Sequence, residues 1–112
     1  MTTCMLTTMD LAAGTSAEAF AKALTACAEA LLAEGLLMEC SALHQRHTDT
    51  LLDTDERTQK YMFVMRFSDR AQADRAIRAL AQTDNALGAL HLALQRMSCN
   101  QVFSYWEDAA GN

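Results

Sequence analysis

The feature that most constrains this chain is the order in which its hydrophobic periods change. A short strand-like run, Cys4–Met9, precedes a long alanine-rich run of helical period, Ser16–Glu34. Two more strand-like runs follow, Leu36–Arg46 and Tyr61–Phe67. Helical period returns over Asp69–Gln82 and again over Asn85–Arg96, and the chain closes on the aromatic strand-like run Gln101–Trp106. Apolar residues at every second position bury one face of a sheet, and those at every third or fourth position bury one stripe of a helix. In order, the runs spell β-α-β-β-α-β, the split β-α-β arrangement.

Local signals agree with these periods. Thr15 and Glu18 have the spacing of a capping box, with the Thr15 hydroxyl placed to accept from the Glu18 amide. Phe20, Leu24, Cys27 and Leu31 then form one apolar stripe. Gly35 follows where a helix turns left-handed at its end, a conformation open to glycine without a Cβ penalty. Ser68 and Asp69 cap the second helix, with Ala73, Ala76, Ile77 and Leu80 inward. Asn85–Arg96, after a break at Thr83 and Asp84, reads as a separate short helix with Leu87, Leu90, His91 and Leu94 on one stripe. The fold class expected is α+β, a ferredoxin-like sandwich whose four-stranded antiparallel sheet carries its helices on one face.

The second sheet face is the unusual part. On Tyr61–Phe67 one face carries Tyr61, Phe63, Met65 and Phe67, and the other carries Met62, Val64 and Arg66. Leu36–Arg46 is similar, with Met38, Cys40 and Ala42 on one face and Leu37, Ser41 and Leu43 on the other. An antiparallel sheet open to water shows one polar face. Here both are largely apolar, so a cover is expected, most simply a second copy of the chain. The polar connection His47–Gln59 is long for a hairpin. Its Leu51 and Leu52 fit either a tip docked on a partner subunit or a flexible loop.

Composition bounds the rest. The 112 residues read as one domain spanning 1–112, with a polar tail at 107–112. A chain that is 51% hydrophobic and 21% charged supports a globular core. The net charge of −5 argues against nucleic acid as a partner. No apolar stretch approaches a membrane span, and Met1–Leu11 lacks the basic start of a signal peptide. The expected location is the cytoplasm. Cys4, Cys27, Cys40 and Cys99 form no C-x-x-C pair and read as thiols, the first three buried and Cys99 in a loop.

Few residues suggest chemistry. Arg66 stands in an apolar strand, where a charge is costly unless paired. Either it holds an anionic ligand head, with Met62 and Val64 lining the apolar part, or it pairs with Glu39. His44 can reach a cavity as donor or base. A metal shared with His47 would need a bend, because that spacing points the two rings to opposite faces of a strand. His91 sits on a leucine-rich helical stripe and would line any pocket beneath it. Tyr105 and Trp106 face opposite sides of the last strand, each able to stack on a flat ligand or form a dimer seam. The strand methionines suit an adaptable apolar cavity. No hydrolase elbow, phosphate loop or zinc motif is present, so no cofactor and no metal are expected.

The capped helix Thr15–Gly35, the strand pair and the closing Gln101–Trp106 together resemble the dimeric α+β barrel superfamily. This group of small ferredoxin-like proteins includes antibiotic-biosynthesis-type monooxygenases and EthD-like proteins. The resemblance implies two sheets packed face to face across a two-fold axis, with a cleft for a small ligand between sheet and helices. The function expected is binding of a small apolar molecule, fatty-acid-like and carboxylate-bearing in one version. The alternatives are a cofactor-independent monooxygenase or isomerase, with histidine as base and Arg66 steadying an enolate, and a structural or regulatory dimer without ligand.

Overall fold

The computed structural model describes residues 2–54 and 56–110. Met1, Asp55 in the long connection, and Gly111 and Asn112 in the expected tail lie outside the described residues. The elements run β1 (Thr3–Leu11), α1 (Ala17–Ala33), β2 (Glu39–Cys40), β3 (His44–Gln45), β4 (Tyr61–Phe67), α2 (Arg70–Ala81), α3 (Ala86–Arg96) and β5 (Ser98–Glu107). The sheet is antiparallel. β1 and β4 are central, β5 flanks β1, and β2 and β3 both pair with the outer side of β4.

β2 and β3 are two pieces of one edge, so the continuous strand expected over Leu36–Arg46 is interrupted. The ladder to β4 is still served. Met38 N donates to Arg66 O at 2.9 Å, Ser41 N to Val64 O at 2.8 Å and Arg46 N to Lys60 O at 2.8 Å. The break comes at Ser41, whose Oγ accepts from Val64 N at 2.8 Å. A side-chain hydroxyl there takes a ladder amide that a backbone carbonyl would otherwise satisfy, and regular pairing lapses until His44.

The terminal strands are longer than their hydrophobic patterns. β1 and β5 stay paired to Leu11↔Ser98, past a register shift between Thr8 and Asp10. Cys99 is therefore exposed in a strand, not in a loop. Asn100 enters the left-handed region at φ 55° within this irregularity. The Asp10 carboxylate pins it, accepting from Asn100 Nδ2 at 2.9 Å and from Lys60 N at 3.0 Å. Polar residues hold this end together, so it has no apolar alternation to read.

The helix ends follow side-chain chemistry. The N-cap of α1 is Ser16, not Thr15, and its Oγ accepts from Ala19 N at 3.0 Å. Glu18 pairs with Lys22 one turn on, at 3.7 Å. The other end is a Schellman motif. Leu36 N donates to Leu31 O at 2.9 Å and Gly35 N to Leu32 O at 3.1 Å, with Gly35 at φ 70°. Asp69 caps α2 by accepting from Gln72 N at 2.8 Å. Asn85 caps α3 by accepting from Gly88 N at 2.7 Å.

Burial alternates along β1 and β4, which places the helices on one face of the sheet. Met5, Met9, Phe63, Met65 and Phe67 meet Phe20, Leu24, Cys27 and Leu31 of α1, Ala73, Ala76 and Leu80 of α2, and Leu87 and Leu94 of α3. Burial of this kind stabilises by about 1.5–3 kcal/mol for each large side chain. Ile77, expected inward, is partly exposed. The connection 47–59 is tied at its base by Arg46, whose Nη2 donates to Asp53 at 2.5 Å and whose Nη1 donates to the Arg57 carbonyl. Leu51 and Leu52 stand out from it, 108% and 83% exposed.

Candidate functional site

A cavity of about 340 Å³ lies between the helix-facing side of the sheet and the helices. It exists because the helices do not fully cover β5. The strand pairing puts Met5 opposite Tyr105 and Thr7 opposite Phe103, so Phe103 and Tyr105 face the helix layer. Yet Phe103 is 56% exposed, while the matching β4 residues Phe63 and Met65 are buried. The gap between α2, α3 and β5 opens the cavity to solvent.

The floor is Met5, Thr7, Met9, Phe63 and Met65 from the two central strands. Phe20 and Cys27 come from α1, and Ile77, Leu80 and Ala81 from α2. His91, Leu94 and Gln95 of α3, with Ser98, Gln101, Phe103, Ser104 and Tyr105 of β5, complete the wall. Most of the lining is carbon and sulfur. Ser98 Oγ donates to Leu94 O at 2.8 Å, and Gln101 Nε2 donates to Ser98 Oγ at 3.0 Å, a small polar chain at one end of β5. Thr7 Oγ1 is buried with no hydrogen-bond partner among the described residues.

A second polar group lies at the other end. The Arg70 guanidinium carbon sits 5.5 Å from the centre of the Tyr105 ring, and Arg70 Nε donates to Asp74 Oδ1 at 3.2 Å. The Tyr105 phenol is pushed above its ordinary pKa, first by burial and then by the Asp74 carboxylate, with Arg70 acting in the opposite direction. The phenol is therefore a neutral hydrogen-bond donor at physiological pH. Cys27, in the cavity wall, has its thiol pKa raised by burial. Cys40 is pushed up to about 11, by burial first and Cys27 second, so both stay protonated and unreactive near neutrality.

The strand register divides the seven residues singled out from the sequence. His91 and Tyr105 line the cavity. Met62, Val64 and Arg66 alternate to the opposite sheet face, with His44 opposite Met62 and Trp106 opposite Cys4 on that same face. Arg66 Nη1 pairs with Glu39 Oε1 at 3.0 Å, both half-exposed, in the pairing that the neighbouring strand makes available. Sequence reading did not single out Thr7, Gln95, Gln101 or Arg70. Thr7 shares the two-residue period of Met5 and Met9, which puts it on their face, and an arginine at the start of a helix carries no signal of its own.

No protein-family model and no curated protein matches the sequence. Solved structures do match in shape. A variant of SnoaB, a cofactor-independent oxygenase from Streptomyces nogalater, superposes with a TM-score of 0.66 at 13% identity, covering 98% of this chain and 95% of that one. This chain has the ferredoxin-like fold. A dimeric ferredoxin-like protein of unknown function from Bacteroides fragilis gives a TM-score of 0.61 at 9% identity, covering 96% of each chain. Another, from Jannaschia, gives 0.58 at 19% identity, covering 96% of this chain and 100% of that one. The resemblance to dimeric α+β barrels read from element order thus holds at the level of fold. Among the described residues no helix is long and apolar enough to cross a membrane.

Proposed function

We propose that this chain is a single-domain, homodimeric protein that binds a small, largely apolar molecule in the cavity between its sheet and helices. The cavity itself carries the reading. Its volume of about 340 Å³ lies within the range of about 300–1,000 Å³ usual for ligand sites. Unfilled, its lining forfeits dispersion contacts that a ligand would restore. Met5, Met9 and Met65 on the floor adapt to irregular shapes because their side chains are unbranched. His91, Gln95, Gln101, Tyr105 and the Thr7 hydroxyl, unpartnered among the described residues, are able to orient a polar substituent.

The neutral fluorophore N-phenyl-1-naphthylamine tests the site. It should bind the native protein with enhanced emission. Ala81→Trp puts an indole at the exposed end of α2, where Ala81 lines the cavity, and should weaken that binding by about 10-fold or more, the effect of losing ~1.4 kcal/mol of contact. Equal binding to both proteins would place the probe elsewhere, and no binding to the native protein would defeat the reading.

The likeness to SnoaB favours a second reading, cofactor-independent oxygenation. In it His91 takes a proton from an acidic carbon of a bound substrate, and dioxygen adds to the carbanion. Tyr105, Gln95, Gln101 and Thr7 can donate from the cavity lining, and Arg66 cannot, since it lies on the other sheet face. Oxygen uptake on a panel of apolar phenols and ketones should fall about 100-fold or more in His91→Ala, the contribution of a positioned base. Uptake unchanged by that substitution would remove His91 from the chemistry.

The dimer reading rests on the sheet face away from the helices, where Leu6, Met62, Val64, Val102 and Trp106 gather. Trp106 is 59% exposed there, with its Nε1 donating to Ser104 Oγ at 2.7 Å. A second copy offers the same apolar surface to itself, as a two-fold interface requires. The four unpaired thiols support a reducing compartment, and with it the cytoplasm.

A further inference from the structure

We propose that Arg70 receives an anionic group, a carboxylate or its sulfonate equivalent, carried by the ligand of the cavity, so that the protein prefers apolar acids to neutral molecules of the same shape. This rests on the cavity reading above and adds a chemical class to it. The arginine expected from sequence to take that role, Arg66, lies on the opposite face of the sheet and pairs with Glu39. Arg70 is placed differently. It is the first residue of α2, which packs directly over the cavity through Ile77, Leu80 and Ala81. Its guanidinium lies 5.5 Å from the ring centre of Tyr105, a residue of the cavity wall.

The hydrogen bonding leaves room for a guest. Arg70 uses Nε to reach Asp74 Oδ1 at 3.2 Å, and its two Nη groups make no hydrogen bond among the described residues. Those two nitrogens form the fork that holds a carboxylate through two parallel hydrogen bonds. At 5.5 Å from its centre the Tyr105 ring attracts the guanidinium, and the neutral Tyr105 phenol can donate a further bond to the same anion. Asp74 is the carboxylate already beside the guanidinium, and it both holds Arg70 in place and competes with an incoming acid. Arg70 is well exposed and stands outside the cavity lining, which it meets through the Tyr105 ring, so it can hold a head group beyond that ring while the apolar body lies on Met5, Phe63 and Met65. The chain as a whole carries −5, which repels acids at long range, so recognition of one must be this local.

Two fluorophores with the same ring system separate the terms. 1-Anilinonaphthalene-8-sulfonate carries an anion, and N-phenyl-1-naphthylamine does not. Titration of the native protein should show tighter binding of the sulfonate, with Ala81→Trp weakening both. Arg70→Gln should weaken the sulfonate about 10-fold or more, as removal of a charged hydrogen bond does, and leave the neutral probe within about two-fold. Arg78→Gln removes the same charge from the exposed last turn of α2 and should leave both probes unchanged. Asp74→Asn should strengthen the sulfonate and leave the neutral probe alone. Equal losses in Arg70→Gln and Arg78→Gln, or no loss in Arg70→Gln, would overturn the role of Arg70 while the neutral probe keeps the cavity reading alive. Failure of both probes on the native protein would remove the cavity reading and this inference together.

Discussion

Gly88→Ala will cost this protein about 4 kcal/mol or more of stability, at the extreme of single substitutions. A Cβ built at Gly88 lies 1.5 Å from the Gln82 carbonyl oxygen and 2.7 Å from its carbon. Both are backbone atoms, so no side chain can swing away. Gly88 is buried in the first turn of α3, and its amide donates to the Asn85 cap at 2.7 Å. Gln82 is the C-cap of α2, and its side chain accepts from Asn85 Nδ2 at 2.8 Å. Relief of the clash therefore means prising α3 from the end of α2, which also opens the cavity wall that both helices form. Ordinary overpacking costs about 1–3 kcal/mol, because flexible neighbours share the strain, and that route is closed here. Urea unfolding followed by far-UV circular dichroism reads the effect. A loss below about 1 kcal/mol would show that the close approach of α3 to Gln82 is wrong. Gly35→Ala is the contrast. Its added Cβ meets nothing within 4 Å, and φ is 70°, so only the left-handed penalty of about 1–2 kcal/mol applies.

Val64→Lys should turn a dimer into a monomer with little change in fold. Val64 lies in the middle of β4 on the face away from the helices, with Leu6 beside it in register. In an isolated chain a lysine there can extend its ammonium into water along the apolar strand surface. At the centre of a two-fold interface the same residue meets its own copy, and two unpaired ammonium groups are desolvated side by side. An uncompensated buried charge costs about 3–5 kcal/mol, enough to weaken association more than 100-fold. Light scattering coupled to size exclusion at micromolar concentration should give twice the chain mass for the native protein and the single chain mass for the variant. A native protein that runs as a monomer would remove the homodimer from the proposal, and a variant that stays dimeric would move the interface off this face.

Much of the architecture was legible because it depends on neighbours in sequence. The helical stripe Phe20, Leu24, Cys27, Leu31 is buried as its spacing requires. Gly35 closes α1 as a Schellman motif, and Asp69 and Asn85 cap the next two helices. Thr15 and Ser16 are both competent caps, and the choice fell one residue later than expected because Ser16 takes the extended backbone that precedes the helix. The edge strand was harder. A serine hydroxyl substituting for a carbonyl at Ser41 leaves no mark in the hydrophobic pattern, and neither does the polar pinning of Asp10 to Asn100 that lengthens β1 and β5.

The sequence by itself determined the order of the elements, the helix ends to within a residue and the double apolarity of the sheet, because each follows from backbone geometry and from side chains a few positions apart. It also brought Arg66 and Glu39 into view as a pair, since adjacent strands place them opposite each other. Only the tertiary structure decided which apolar face lies under the helices. Two apolar faces look alike in sequence, and a shift of one residue exchanges them completely. That choice separated His44, Met62, Val64, Arg66 and Trp106 from the cavity and put Tyr105 into its wall with His91 of α3. It also set Arg70 against Tyr105, 35 positions along the chain, a contact that depends on the packing of α2 over an uncovered edge strand and on no pattern within either segment.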